Sequence, residues 1–150
     1  MRIKSTSSEI TEQIGREIGV RLKGGEVIEL NSDLGGGKTT FTRGLVAGTG
    51  SMDDVASPTF TISRIYNAPE FSVHHFDFYR LQEPGIIAHE LHEIIGDSNV
   101  VTVIEWGDIV ADILPADRIT ISFSNIGDTE REITITASQN NLYAIKGITL

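Results

Sequence analysis

The chain contains no cysteine. Disulfide staples, thiolate zinc sites and cysteine nucleophiles are therefore excluded, and any metal must be taken by oxygen or imidazole donors. Positive charge is also scarce, with 12 Lys and Arg against 21 Asp and Glu and a net charge of −9. A surface of that sign does not grip nucleic acid unaided, because neutralising phosphates takes clustered Lys and Arg. DNA binding by the general surface is not expected, and only a local basic patch is left to make a nucleic-acid contact. No apolar run approaches the ~18 residues of a membrane span, and residues 1–10 lack the apolar centre of a signal peptide. A soluble, unexported protein without membrane contact is expected. What is present is 150 residues, 39% of them hydrophobic. A chain of that length buries roughly two-thirds of its unfolded surface, enough for a single domain over residues 1–150.

Hydrophobic periodicity divides the chain into alternating elements. Thr6 and Glu9 have capping-box spacing, and Ile10, Ile14, Ile18 and Leu22 mark one helical face until Gly24 and Gly25. Val27, Ile28 and Leu30 form a short strand-like run before a glycine-rich segment, and Phe41, Leu45 and Val46 recur at helical spacing behind it. Strands are predicted over Thr61–Tyr66 and within Phe71–Phe78, and a helix over Gly85–Ile95 with Gly96 as its stop. Val100–Ile104 is almost continuously apolar and β-branched, as a strand covered on both faces requires. Ile119, Ile121 and Phe123 alternate with polar residues, as do Ile133 and Ile135, which predicts a hairpin turning near Asn125–Asp128. Leu142–Ile145 is a candidate last strand.

The segment Ser32-Asp33-Leu34-Gly35-Gly36-Gly37-Lys38-Thr39 matches the phosphate-loop pattern at every defining position except the first, where Ser32 replaces glycine. Glycines let backbone amides curl around phosphate oxygens without Cβ obstruction, and the following helix directs its positive end at the anion. Lys38 would contact the β and γ phosphates of a nucleotide, and Thr39 would offer a hydroxyl to Mg²⁺, a cation of hard oxygen donors. A glycine-rich turn with an incidental lysine is the alternative. The strand before and the amphipathic helix after decide against it. A left-handed backbone at Ser32 would be strained.

A phosphate loop needs a carboxylate at the tip of a neighbouring strand. Glu105 follows the apolar Val100–Ile104 run, and Asp77 ends the run around Val73. Spacing leaves open which of them binds the metal and which positions the attacking water. Thr59, in Ser57-Pro58-Thr59-Phe60, lies where a segment closing on the γ-phosphate would sit, although the residues by themselves favour a plain proline turn. Arg80 is placed to neutralise transition-state charge, Arg43 reads as a surface ion pair, and Trp106 as packing or as a shield of the site. His89 and His92 read as a polar helix face rather than zinc ligands, and His74 and His75 as strand residues facing opposite sides.

Four blocks, Ser32-Asp33-Leu34-Gly35-Gly36-Gly37-Lys38-Thr39-Thr40-Phe41, Ser57-Pro58-Thr59-Phe60, His75-Phe76-Asp77-Phe78-Tyr79-Arg80 and Ile104-Glu105-Trp106, in that order and at those separations, resemble the TsaE (YjeE) family. The resemblance implies an α/β, P-loop NTPase-like three-layer fold with a mixed, largely parallel central sheet and a C-terminal antiparallel extension. It implies that Asp33 to Thr40 cradle the nucleotide, that Thr39 and Glu105 match magnesium-binding positions, and that Asp77 matches a second acidic residue of the site. Thr59 falls in a switch-like segment, Ser8 and Glu9 lie by the adenine, and Arg131 matches a basic position on the nucleotide side. The family further implies a bacterial cytoplasmic ATPase that associates with TsaB and TsaD. Hydrolysis there supports formation of threonylcarbamoyladenosine at adenosine 37 of tRNAs reading codons that begin with A. Two loop positions depart from the family pattern: Ser32 stands where glycine is usual, and Gly36 where alanine or serine is frequent. A metabolite kinase is the rival reading, against which stand the few arginines after Arg80 and the strand-rich C-terminus. A GTPase would require an Asn-Lys-x-Asp segment, which the chain lacks.

Overall fold

In the computed structural model, which describes residues 1–58 and 61–149, seven strands form one mixed sheet in the order β1-β7-β6-β2-β5-β4-β3. The strands are β1 (Arg2–Ser5), β2 (Val27–Asn31), β3 (Ser63–Asn67), β4 (Ser72–Asp77), β5 (Val100–Glu105), β6 (Ile119–Asn125) and β7 (Arg131–Ala137). The helices are α1 (Ser8–Gly19), α2 (Lys38–Gly48) and α3 (Gly85–Ile94). Strands β6, β2, β5 and β4 run parallel, whereas β3 pairs antiparallel with β4 at one edge and, at the other, β7 pairs antiparallel with β6 and β1 antiparallel with β7. The parallel block explains the near-continuous apolar character of β5, all six residues of which are buried.

Two cores sandwich the sheet. On one face Ile14 and Ile18 of α1 and Phe41, Leu45 and Val46 of α2 pack on Ile28, Leu30, Val73, Val101, Val103, Ile119 and Ile121. On the other, Leu91 of α3 packs with Val27, Phe76, Phe78, Ile104, Val110 and Leu114. The α/β three-layer expectation is met.

Helices α1 and α2 approach unusually closely, and the reason is four glycines. A Cβ at Gly15 would lie 2.2 Å from the Phe41 carbonyl oxygen, and one at Gly19 2.1 Å from that of Leu45. From the other side, a Cβ at Gly44 would lie 1.8 Å from the Glu12 carbonyl oxygen, and one at Gly48 2.3 Å from that of Arg16. Backbone meets backbone, and the two helices run in the same direction, so their N-termini open at the same end of the sheet. Gly44→Ala is therefore expected to destabilise the fold by about 2 kcal/mol despite alanine's better helix propensity, because overpacking here displaces main chain rather than a flexible side chain. Thermal denaturation should show Tm lowered by several degrees.

The structure corrects the expected elements in four places. A strand, β1, precedes α1, and the helix is capped by Ser7 rather than Thr6, the Ser7 hydroxyl accepting from Ile10 N–H at 3.3 Å. Ser5 ends β1 with its buried hydroxyl bonded to that of Thr11. Strand β3 starts only at Ser63, because Ile62 adopts φ 63° in a turn whose amides at 61 and 62 donate to the Pro58 carbonyl. Leu142–Ile145 is not a strand. It falls largely in a 3-10 helix over Gln139–Ala144, held to the start of β6 by donation from Ser138, Asn140 and Asn141 side chains to Asp117.

Candidate functional site

The carboxyl ends of β2, β5 and β4 lie side by side, and the chain leaves β2 directly into the glycine-rich loop. Loops beyond such strand ends are where open α/β sheets bind ligands. Gly37, at φ 104°, turns the loop into α2, and no side chain caps that helix by a hydrogen bond. Its first amides are thus directed at whatever fills the loop.

Lys38 is 6% exposed and reaches back across the loop. Its ammonium donates to the Ser32 hydroxyl at 2.8 Å and to the carbonyls of Ser32 and Asp33, each at 3.2 Å. The same Nζ lies 5.0 Å from the centre of the Trp106 ring, which in turn stands 4.9 Å from the Tyr79 ring. Trp106 has φ 56°, a left-handed conformation directly after Glu105, and strain of this kind concentrates at functional sites. The aromatic pair walls the site as well as packing it.

Asp77 and Glu105 are register partners on neighbouring parallel strands. Glu105 is 3% exposed and Asp77 half-buried. Burial pushes the Asp77 carboxyl above its ordinary range, and the Glu105 charge adds to this, while the Tyr79 amide, which donates to Asp77 Oδ1 at 3.0 Å, His75 and Lys38 pull it back. A cleft of about 470 Å³ is lined by residues 34–40 of the loop together with Ser57, Asp77, Tyr79, Arg80, Glu105 and Trp106. A hydroxyl at Thr39 and two carboxylates are hard oxygen donors, the set Mg²⁺ takes when phosphates and water complete its shell. Among the described residues no group of three or more His, Asp or Glu stands ready to hold a metal by protein alone.

On the far side of Gly37 and Thr40, a second hollow of about 350 Å³ is lined by Thr6, Ser7, Ser8, Glu9, Thr11, Asp128, Thr129 and Arg131. The parallel crossing of α1 on α2 puts Ser8 and Glu9 there, and the start of β7 supplies Arg131. A Cβ on Gly37 would lie 3.5 Å from Arg131 Cδ and Nε, so the arginine stem lies close over the loop. Hydrogen bonding, first from the Ser7 hydroxyl, holds the Glu9 carboxyl below its usual value. The two hollows adjoin through the N-terminus of α2.

The sequence-predicted residues Asp33, Leu34, Gly35, Gly36, Gly37, Lys38, Thr39, Thr40, Asp77 and Glu105 thus surround or flank one cleft, with Ser8, Glu9 and Arg131 next to it. Thr59 lies outside the described residues. Arg43 is half-exposed and pairs with Glu12 at 3.7 Å, away from the cleft lining. His89 and His92 lie exposed on α3.

Ser32 does not take the left-handed backbone expected of a first loop glycine; among the described residues only Ile62 and Trp106 do so without being glycine. Its side chain instead fills the loop. A Cβ at Gly36 would lie 2.3 Å from Ser32 Oγ and 2.6 Å from Ser32 Cβ, so the two positions share one volume. Gly36→Ala alone is expected to weaken nucleotide binding by dislodging Ser32 from Lys38, whereas Gly36→Ala with Ser32→Gly should recover it, a coupling of about 1–2 kcal/mol. Nucleotide titration of the four proteins in that cycle measures it.

From the sequence, His75 and Tyr79 have a place in a family block but no role in the site, Asp128 reads only as a turn residue, and Thr129 is not singled out. For His75 a signal existed, since it precedes Asp77 by two residues and so shares its face of β4.

Comparison with known proteins bears on family and fold. The family model "Threonylcarbamoyl adenosine biosynthesis protein TsaE" matches residues 5–133. The chain belongs to the TsaE family. It is 36% identical over 140 residues to tRNA threonylcarbamoyladenosine biosynthesis protein TsaE of Bacillus subtilis, covering 93% of this chain and 87% of the relative. To the protein of the same name from Treponema pallidum it is 37% identical over 139 residues, covering 90% and 99% respectively. The crystal structure of YdiB from Bacillus subtilis superposes with TM-score 0.80 at 34% identity, covering 97% of this chain and 89% of that one. The fold is therefore that of a TsaE-family member along nearly the whole chain. Among the described residues no helix is long and apolar enough to cross a membrane.

Proposed function

We propose that this chain is a cytoplasmic ATPase that binds ATP with Mg²⁺ in the cleft around Lys38. Its slow hydrolysis of ATP to ADP and phosphate supports a TsaB–TsaD pair in forming threonylcarbamoyladenosine at adenosine 37 of tRNAs reading codons that begin with A. The observation that carries the reading is the convergence of Lys38, the uncapped start of α2 and two register-paired carboxylates on one cleft. Loop amides and Lys38 hold the β and γ phosphates, and the adenosine lies over the neighbouring hollow of Ser8, Glu9 and Arg131. Thr39 and Glu105, with Asp77 beside them, would hold Mg²⁺, which would supply positive charge to offset the phosphates. The carboxylate not engaged by metal positions the attacking water. Trp106 and Tyr79 exclude bulk solvent from the phosphate end. The net charge of −9 suits action on a protein assembly, with any tRNA contact made jointly.

The test is reconstitution of tRNA modification with and without this chain, together with analysis of the nucleotide products. Free phosphate and ADP, released slowly by the isolated chain and faster on addition of TsaB and TsaD, are expected. Vigorous hydrolysis indifferent to those partners, or transfer of phosphate to a small acceptor, would contradict the reading.

A further inference from the structure

Beneath the cleft lies a buried histidine that the proposed function leaves unused, paired with a carboxylate that it does use. His75 is 0% exposed and its Nε2 stands 2.9 Å from Glu105 Oε1. On the strand ladder His75 is the partner of Val103, two residues before Glu105, so both side chains project from the same face of neighbouring strands. A carboxylate has no hydrogen to give, so the hydrogen of this bond is on Nε2. The other ring nitrogen, Nδ1, is buried with no partner among the described residues. Nε2 is thus the donor to Glu105 whatever Nδ1 carries, and Nδ1 has no competing contact among those residues to turn the ring away.

The geometry points to His75 as the positioning residue of Glu105. Resting on the proposed ATPase reading, the assignment gives the pair a division of labour. His75 holds Oε1 from below, and since Glu105 lines the cleft, Oε2 is left as the oxygen presented to metal or water. The need for such a hold is on the same ladder. Asp77 is the register partner of Glu105, and two adjacent carboxylates repel, so an untethered Glu105 would swing away from the place where its charge is used. An imidazole fixing a carboxylate mirrors the outer-shell pairs that orient metal ligands elsewhere, whose loss costs about 10–100-fold in metal affinity or activity.

Two substitutions separate positioning from packing. His75→Phe keeps an aromatic ring in the core and removes the donor. His75→Gln returns a donor at about the reach of Nε2. His75→Phe is expected to lower kcat about 10–100-fold and to raise by a similar factor the Mg²⁺ concentration that saturates the fluorescence change of Trp106, the only tryptophan, with ATP present. ATP affinity at saturating Mg²⁺ should stay close to wild type, Tm should fall by several degrees in His75→Phe as buried Glu105 loses its donor, and His75→Gln should recover most of the loss. Equal loss in both variants, or a lowered Tm with kcat and the Mg²⁺ requirement unchanged, would overturn the assignment. An arm independent of ATP is the nitrogen NMR spectrum of His75 in the wild-type chain, where hydrogen on Nε2 is expected and a bare Nε2 would overturn the assignment. Failure of wild type to bind ATP with Mg²⁺ would instead strike the ATPase reading, and the NMR result would still decide the role of His75.

Discussion

Replacing Lys38 by alanine is expected to weaken the affinity for ATP with Mg²⁺ by about a hundredfold, the loss of roughly two charge-assisted hydrogen bonds to phosphate. The size follows from where the ammonium sits. It is 6% exposed and held within 3.2 Å by three loop oxygens, so its position is set before any ligand arrives and little ordering entropy is spent on binding. The Ser32 and Asp33 carbonyls would also lose their partner in the variant, so the empty loop should loosen. Equilibrium titration followed by Trp106 fluorescence reads the change, since that ring lies 5.0 Å from Nζ. A variant that bound ATP as the wild type does would remove Lys38 from the phosphate contact.

Glu105→Gln is expected to act on the other side of the ledger between binding and turnover. Its size and its bond to His75 are kept, while the charge is lost. Hydrolysis should fall about a hundredfold or more, because a metal-held or water-positioning carboxylate acts mainly in the transition state. Affinity for ATP should move by less than about tenfold, since the loop amides and Lys38 are untouched. Single-turnover measurements with saturating ATP separate the two. Full hydrolysis by this variant would transfer the role to Asp77, the neighbouring carboxylate whose burial already raises its readiness to hold a proton.

Much of this arrangement was legible in the residues themselves. The apolar run of β5 and the glycine-rich loop between a short strand and an amphipathic helix are patterns with few other solutions, and both occur as expected. The ends of β4 and β5 meet because parallel strands in one sheet share a carboxyl edge. Strand β1 was not legible, since in Arg2–Ser5 a single isoleucine carries the pattern and pairing with β7 supplies the rest. The C-terminal 3-10 helix was misread because its apolar Leu142 and Tyr143 follow polar contacts to Asp117 that only the fold brings close. The close seating of α1 on α2 was missed for another reason. Attention to Ile10, Ile14, Ile18 and Leu22 overlooked Gly15, Gly19, Gly44 and Gly48, whose four-residue spacing on both helices is visible once small residues are counted as a face. Ser32 carried the opposite lesson, for its side chain occupies the space that Gly36 leaves.

Isothermal calorimetry of the purified wild-type chain with ATP and Mg²⁺ tests the central claim most directly. One saturable site per chain, weakened when magnesium is withheld and competed by ADP, is the expected result. A folded chain that takes up no adenine nucleotide, alone or with TsaB and TsaD, would contradict it.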